Sequence, residues 1–256
     1  MKLQNLIGVQ FKLVAACMLL ISAAAFGQTK TPEKNIVIVH GAFADASGWE
    51  AVYAILKKDG YNVTLVQNPL TSLEDDVAAT NRALDKQDGP VILVGHSWGG
   101  AVITQAGVSD KVAALVYVAA FVPDKGETVI SLLQSGPPLP VNGILPPDEK
   151  GIVYFDKAKF RECFATEQSV DKANFMADSQ QPIAVKSFLT PLTETAWKNK
   201  PSYAIVATED KSINPVLERT MYKRAGAKVT ELKGSHTLYM SQAKAVATVI
   251  ESAATK

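Results

Sequence analysis

Four apolar residues, Val91-Ile92-Leu93-Val94, lead straight into Gly95-His96-Ser97-Trp98-Gly99-Gly100, and an apolar helical stretch follows over 101–108. Gly-x-Ser-x-Gly between a strand and a helix constrains this chain more than any other feature. A serine at a very tight strand-to-helix turn projects its hydroxyl above a sheet. The turn brings backbones too close for side chains, which accounts for glycine at 95 and 99. The helix that starts beneath adds the positive end of its dipole. The N–H of Trp98 can then point at an oxyanion.

Serine is a weak nucleophile without a base, and the base needs an orienting acid. The chain has three histidines. His40 ends the first strand and reads as a structural hydrogen-bonder in its loop. His96 neighbours the serine and reads as a side wall of the substrate site. His236, in Lys233-Gly234-Ser235-His236 after the last strand, is the expected base. Two acids follow strands between Ser97 and His236. Asp210, in Thr208-Glu209-Asp210-Lys211, sits in a short loop held by the helix that starts at Asn214-Pro215, and is preferred. Asp124 opens a Pro-rich segment beside Lys125, where a carboxylate is solvated or paired. The loop His40-Gly41-Ala42-Phe43 should supply a second oxyanion donor, from Ala42 or Phe43. Phe43, His96 and Phe121 are the expected substrate contacts.

Short apolar runs alternate with amphipathic stretches. Strands are expected at Ile36–Val39, Asn62–Val66, Val91–Val94, Ala113–Val118, Ser202–Ala207 and Lys228–Leu232. Helices are expected over 48–58, 72–87 (capped by Ser72), 98–107, 215–225 and 241–254. Continuous apolar strands alternating with helices imply an α/β fold, about six mostly parallel strands covered on both faces. The stretch 124–197 breaks the rhythm. Six of the 13 prolines lie between Pro123 and Pro147, and helical segments follow near 156–164, 169–178 and 182–189. It reads as a small cap over the carboxyl edge of the sheet, ordered by Phe155, Phe160, Phe164, Phe175, Phe188 and Trp197. Phe155, Phe164, Phe175 and Met176 point to an apolar pocket.

Residues 1–27 read as a secretory signal peptide: Lys2 and Lys12, then an apolar run of 14 residues from Leu13 to Phe26 with a small-residue exit. The run is shorter than the roughly 20 residues that span a bilayer. Cleavage after Gly27 leaves residues 28–256 as one domain, secreted or periplasmic, with no membrane span. It leaves 24 basic against 25 acidic side chains and Cys163 as the only cysteine. No disulfide framework is then possible. The near-neutral balance offers no field for nucleic acid, and so few histidines and cysteines make a metal site hard to build.

His-Gly after the first strand, Gly-His-Ser-Trp-Gly-Gly at the turn, Thr208 to Pro215 after the fifth strand, and Gly-Ser-His near the end resemble the α/β-hydrolase superfamily. The resemblance covers residues 34–254, and the order Ser97, Asp210, His236 is that family's order. Within it the chain is similar to the small-cap branch of plant methylesterases, hydroxynitrile lyases and bacterial pyrethroid-type carboxylesterases. Tyr117 to Pro123 and Arg224-Ala225-Gly226-Ala227 resemble its bacterial members. The lyases carry Thr in the loop after the first strand and Lys after the histidine. Here Gly41-Ala42 and Thr237 stand in those places, which favours ester hydrolysis. The resemblance implies a serine carboxylic-ester hydrolase without cofactor, and the cap residues point to a small apolar ester as its substrate. Lactonase, C–C bond hydrolase or lyase work on the same triad, or a non-catalytic ligand-binding member, are the alternatives.

Overall fold

A computed structural model describes residues 33–255, which belong to one compact unit. The signal segment lies outside the described residues. The central sheet has six strands, all parallel: β1 (Asn35–Val39), β2 (Asn62–Val66), β3 (Val91–Ser97), β4 (Val112–Ala120), β7 (Ser202–Ala207) and β8 (Lys228–Leu232). Two short strands, β5 (Ile152–Val153) and β6 (Ile183–Ala184), pair antiparallel in the segment between β4 and β7. β1, β3, β4 and β7 are buried almost throughout, because helices cover both faces. Val37, Leu93, Leu115 and Ala204 face one apolar cluster, and Ile36, Val94, Val116 and Ile205 the other.

The strand order is β2-β1-β3-β4-β7-β8. From β1 the chain moves outward to β2, then returns to place β3 on the other side of β1. That reversal opens a crevice at the carboxyl ends of β1 and β3, where open α/β sheets bind ligands. The loop starting at His40 and the turn at Ser97 both lie there.

Ser72 caps the helix Leu73–Asp85 by accepting from the Asp75 N–H at 3.0 Å. The Pro-rich stretch also holds a helix, Val129–Ser135, that its composition hides. Thr128 and Ser131 satisfy each other's backbone N–H groups and start it. Between β4 and β7 follow the helices Lys157–Cys163, Val170–Asp178 and Val185–Leu189. Phe155, Phe160 and Phe164 pack edge-on or tilted against one another, with ring centres 4.8–5.5 Å apart. Phe175 departs from the expected apolar set: it is 63% exposed, with the Lys172 ammonium 5.4 Å from its ring centre.

Candidate active site

β3 runs into Ser97, whose backbone sits at φ 52°, ψ −121°. A residue with a Cβ adopts that region only where its surroundings hold it there. The close approaches around it explain the glycines. A Cβ on Gly95 would come within 2.5 Å of the Gly99 carbonyl oxygen, and one on Gly99 within 2.4 Å of the Val39 oxygen. The helix Trp98–Ala106 begins directly after Ser97.

His236 is buried in the loop after β8. Its Nδ1 lies 2.7 Å from Asp210 Oδ2. The other Asp210 oxygen accepts from Ser212 N at 2.6 Å and Ile213 N at 2.9 Å. Three donors therefore fix this carboxylate. The competing acid is committed elsewhere: Asp124 pairs with Lys198 at 2.6 Å and accepts from Thr195. Glu209 turns outward to Lys233 at 3.6 Å.

Ser97 and His236 line one cavity of about 370 Å³, part of it open to solvent, with Ala42, Phe43, Trp98 and Phe121. Its remaining wall is apolar except for Ser212: Val129, Leu133, Ile144, Phe155, Phe164, Phe188 and Ile213. Most of that wall comes from the segment between β4 and β7, so this segment covers Ser97. Phe175 and Met176 line a neighbouring hollow instead, which touches this one through Phe43. The Phe43 N–H is bonded to the Gln181 carbonyl at 3.0 Å. Ala42 and Trp98 both line the cavity.

His96, expected as a substrate contact, does not line this cavity. It is the penultimate residue of β3, and its Nδ1 lies against Gly41. It is wholly buried, and its Nε2 donates to the His236 carbonyl at 2.9 Å. Burial pushes its pKa well below the usual histidine value, which keeps the ring neutral, and the carbonyl acceptor holds the proton on Nε2. His96 thus holds the His236 backbone from behind. His40 is also buried: Nδ1 donates to Gly41 O at 2.8 Å and Nε2 accepts from Asn68 N at 2.9 Å, which braces the Ala42 loop.

Three acids around the cavity were not singled out from the sequence. Asp76 is fully buried and accepts from the Trp98 indole at 2.7 Å and from Leu70 N at 2.8 Å. Burial raises its pKa to about 6. Glu167 reaches from the cap to Ser235 N and Oγ, beside His236. Glu218 is fully buried beside Asp210. A signal for two of them was present: Asp76 shares a helix stripe with Leu73, Thr80 and Leu84, and Glu218 one with Leu217, Met221 and Tyr222.

Fold and cavity together define an enzyme of the α/β-hydrolase type. The model of the alpha/beta hydrolase family matches residues 36–249, and the chain belongs to that family. It is similar to a pyrethroid hydrolase from Sphingobium wenxiniae, 26% identical over 240 residues that cover 84% of this chain and 86% of the relative. Methylesterase 7 of Arabidopsis thaliana is 36% identical over 111 residues, 37% of this chain and 43% of the relative. Among solved structures, a pyrethroid hydrolase from Sphingobium faniae aligns with a TM-score of 0.74 at 25% identity, covering 86% of this chain and 97% of the other.

Proposed function

We propose that the protein is a serine hydrolase of small, apolar carboxylic esters. Ser97 Oγ attacks the ester carbonyl. His236 takes the serine proton and returns it to the leaving alcohol. Asp210 keeps the proton of neutral His236 on Nδ1 and stabilises the imidazolium. The N–H groups of Trp98 and Ala42 receive the oxyanion. Water, activated by the same histidine, then releases the acid. Side chains and backbone serve each of these steps, and none calls for a cofactor.

One observation carries this reading. Ser97, in its forced backbone conformation over a helix N-terminus, shares an apolar cavity with a histidine whose Nδ1 is 2.7 Å from a buried carboxylate. Its relatives, a pyrethroid hydrolase and a methylesterase by name, point to ester chemistry in the same direction. Seven apolar wall residues against one serine argue for a substrate without charge near the carbonyl.

A fluorophosphonate should label Ser97 and abolish turnover of nitrophenyl esters. Ser97→Ala should lower kcat on such an ester by about 10⁴-fold or more. Full activity in Ser97→Ala, or labelling at another residue, defeats the assignment.

A further inference from the structure

The mechanism above leaves one buried acid unused. Glu218 lies on the helix Pro215–Arg224, which starts five residues after Asp210, and it is 0% exposed. Its Oε2 accepts from the Ala207 N–H at 3.1 Å, at the end of β7. Its Oε1 meets no donor among the described residues. The Asp210 carboxyl is within hydrogen-bonding reach of the Glu218 carboxyl. Two carboxyls in contact in a dry site do not both ionise; they share a proton.

The donors decide where that proton resides. Asp210 receives two backbone N–H groups and the imidazole of His236. Glu218 receives one backbone N–H. The negative charge settles on the better-served group, Asp210, and the proton stays on Glu218. Other polar neighbours do not change this. Arg219, next on the helix, points out to Glu231 through two bonds of 2.8 Å. Tyr222, one turn on, exchanges bonds with the backbone of Ala120.

We propose that Glu218 is a positioning residue for the reaction: as a neutral carboxylic acid it donates its O–H to Asp210 and holds the carboxylate that orients His236. Desolvation, and next the charge of Asp210, push the Glu218 pKa far up, in agreement. The proton remains on Glu218 through the cycle. A neutral donor steadies Asp210 without adding a second negative charge beside the imidazolium. The inference rests on the Ser97–His236–Asp210 reading, and its test separates the two.

The test uses the full chain, Glu218→Gln, Glu218→Met and, alongside, Asp210→Asn. Glutamine keeps an acceptor for Ala207 N and an N–H for Asp210; methionine fills the space and donates nothing. The infrared spectrum of the wild type at neutral pH should contain a protonated-carboxyl band that Glu218→Gln removes. Glu218→Gln should keep kcat within about threefold and leave the acid limb of the kcat/KM profile in place. Glu218→Met should lower kcat about tenfold or more with KM nearly unchanged. If Glu218 is ionised, Glu218→Gln instead drops the acid limb by about one pH unit, because a charge near His236 has gone, and the band is missing. Either result overturns the proposal, as does a fully active Glu218→Met. Should Glu218→Met fail to fold, the Glu218→Gln profile and the band decide alone. Full activity in Asp210→Asn defeats the triad reading itself; loss in Asp210→Asn with full activity in Glu218→Met defeats only the role of Glu218.

Discussion

Three donors hold Asp210, and one of them is the His236 ring, so replacing its charge by an amide should disturb the base more than any other single-atom change nearby. Asp210→Asn is expected to lower kcat about 10²–10⁴-fold, and Asp124→Asn less than about tenfold, both measured on one activated ester with folding checked by circular dichroism. A larger loss in Asp124→Asn reassigns the acid. Asp76 makes a second residue-level prediction. Its folded pKa of about 6 lies above the ordinary aspartate value of 3.8 because burial disfavours the charge. The unfolded chain therefore gives up this proton first as pH rises, and the contribution to stability falls between pH 4 and pH 6, by about 3 kcal/mol in full. His40 and His96, whose pKa values burial lowers, act in the opposite sense: their stability is lost as pH falls below the usual histidine range. Only the difference between wild type and Asp76→Asn isolates the aspartate. In urea titrations the wild type's stability relative to Asp76→Asn should fall by about 2–3 kcal/mol from pH 4 to pH 7. A flat or rising difference shows that Asp76 does not carry a raised pKa.

At the scale of elements, the sheet was legible because strands buried on both faces must be continuously apolar, and β1, β3, β4 and β7 are. Ser97 was legible for a related reason: its turn demands glycines at fixed positions. His96 lies outside the cavity lining where the sequence suggests a wall residue, because adjacency to a serine says nothing about direction, and this ring turns to the His236 carbonyl. Asp76 and Glu218 were missed because an acid in a helical stripe reads as solvent-facing until the covering layer is known. Phe175 failed in the reverse sense: an aromatic in an amphipathic helix reads as buried, but the helix Val170–Asp178 turns Ala173 and Ala177 inward instead. The helix Val129–Ser135 supplies the element-level prediction. Its Leu133 is half-buried and lines the Ser97 cavity. Leu133→Ala should enlarge the space for the substrate, and Leu133→Trp should fill it. Across a series of nitrophenyl esters, the ratio of kcat/KM for long over short acyl chains should rise in the first and drop in the second, by about tenfold each way. A small fluorophosphonate should label Ser97 in both at the wild-type rate. An unchanged ratio in both variants places the substrate outside this cavity.

For the whole molecule, the question is which part of the chain is needed to fold. Among the described residues, the two apolar clusters that cover the sheet run from Ile36 to Ala254. The ends of this unit meet, since Glu33 N donates to the Ala254 carbonyl at 2.9 Å. Residues 1–27 lie outside the described residues, and their Lys2, Lys12 and apolar run 13–26 carry the pattern of an export signal. A chain of residues 28–256 has Cys163 as its only cysteine and so no internal disulfide; its stability then rests on packing, and Cys163 is itself buried. A chain that starts at Gln28 should therefore fold without the leader. Its melting temperature, with or without a thiol reductant, should lie within about 2 °C of that of the full chain, a shift worth less than 1 kcal/mol for a domain of this size. Its kcat on an activated ester should match within about twofold. In the native host the protein should be found outside the cytoplasm with its N-terminus near Gln28. A trimmed chain that melts well below the full one shows that the first 27 residues belong to the fold, and an intact Met1 on soluble cytoplasmic protein shows that they are not an export signal.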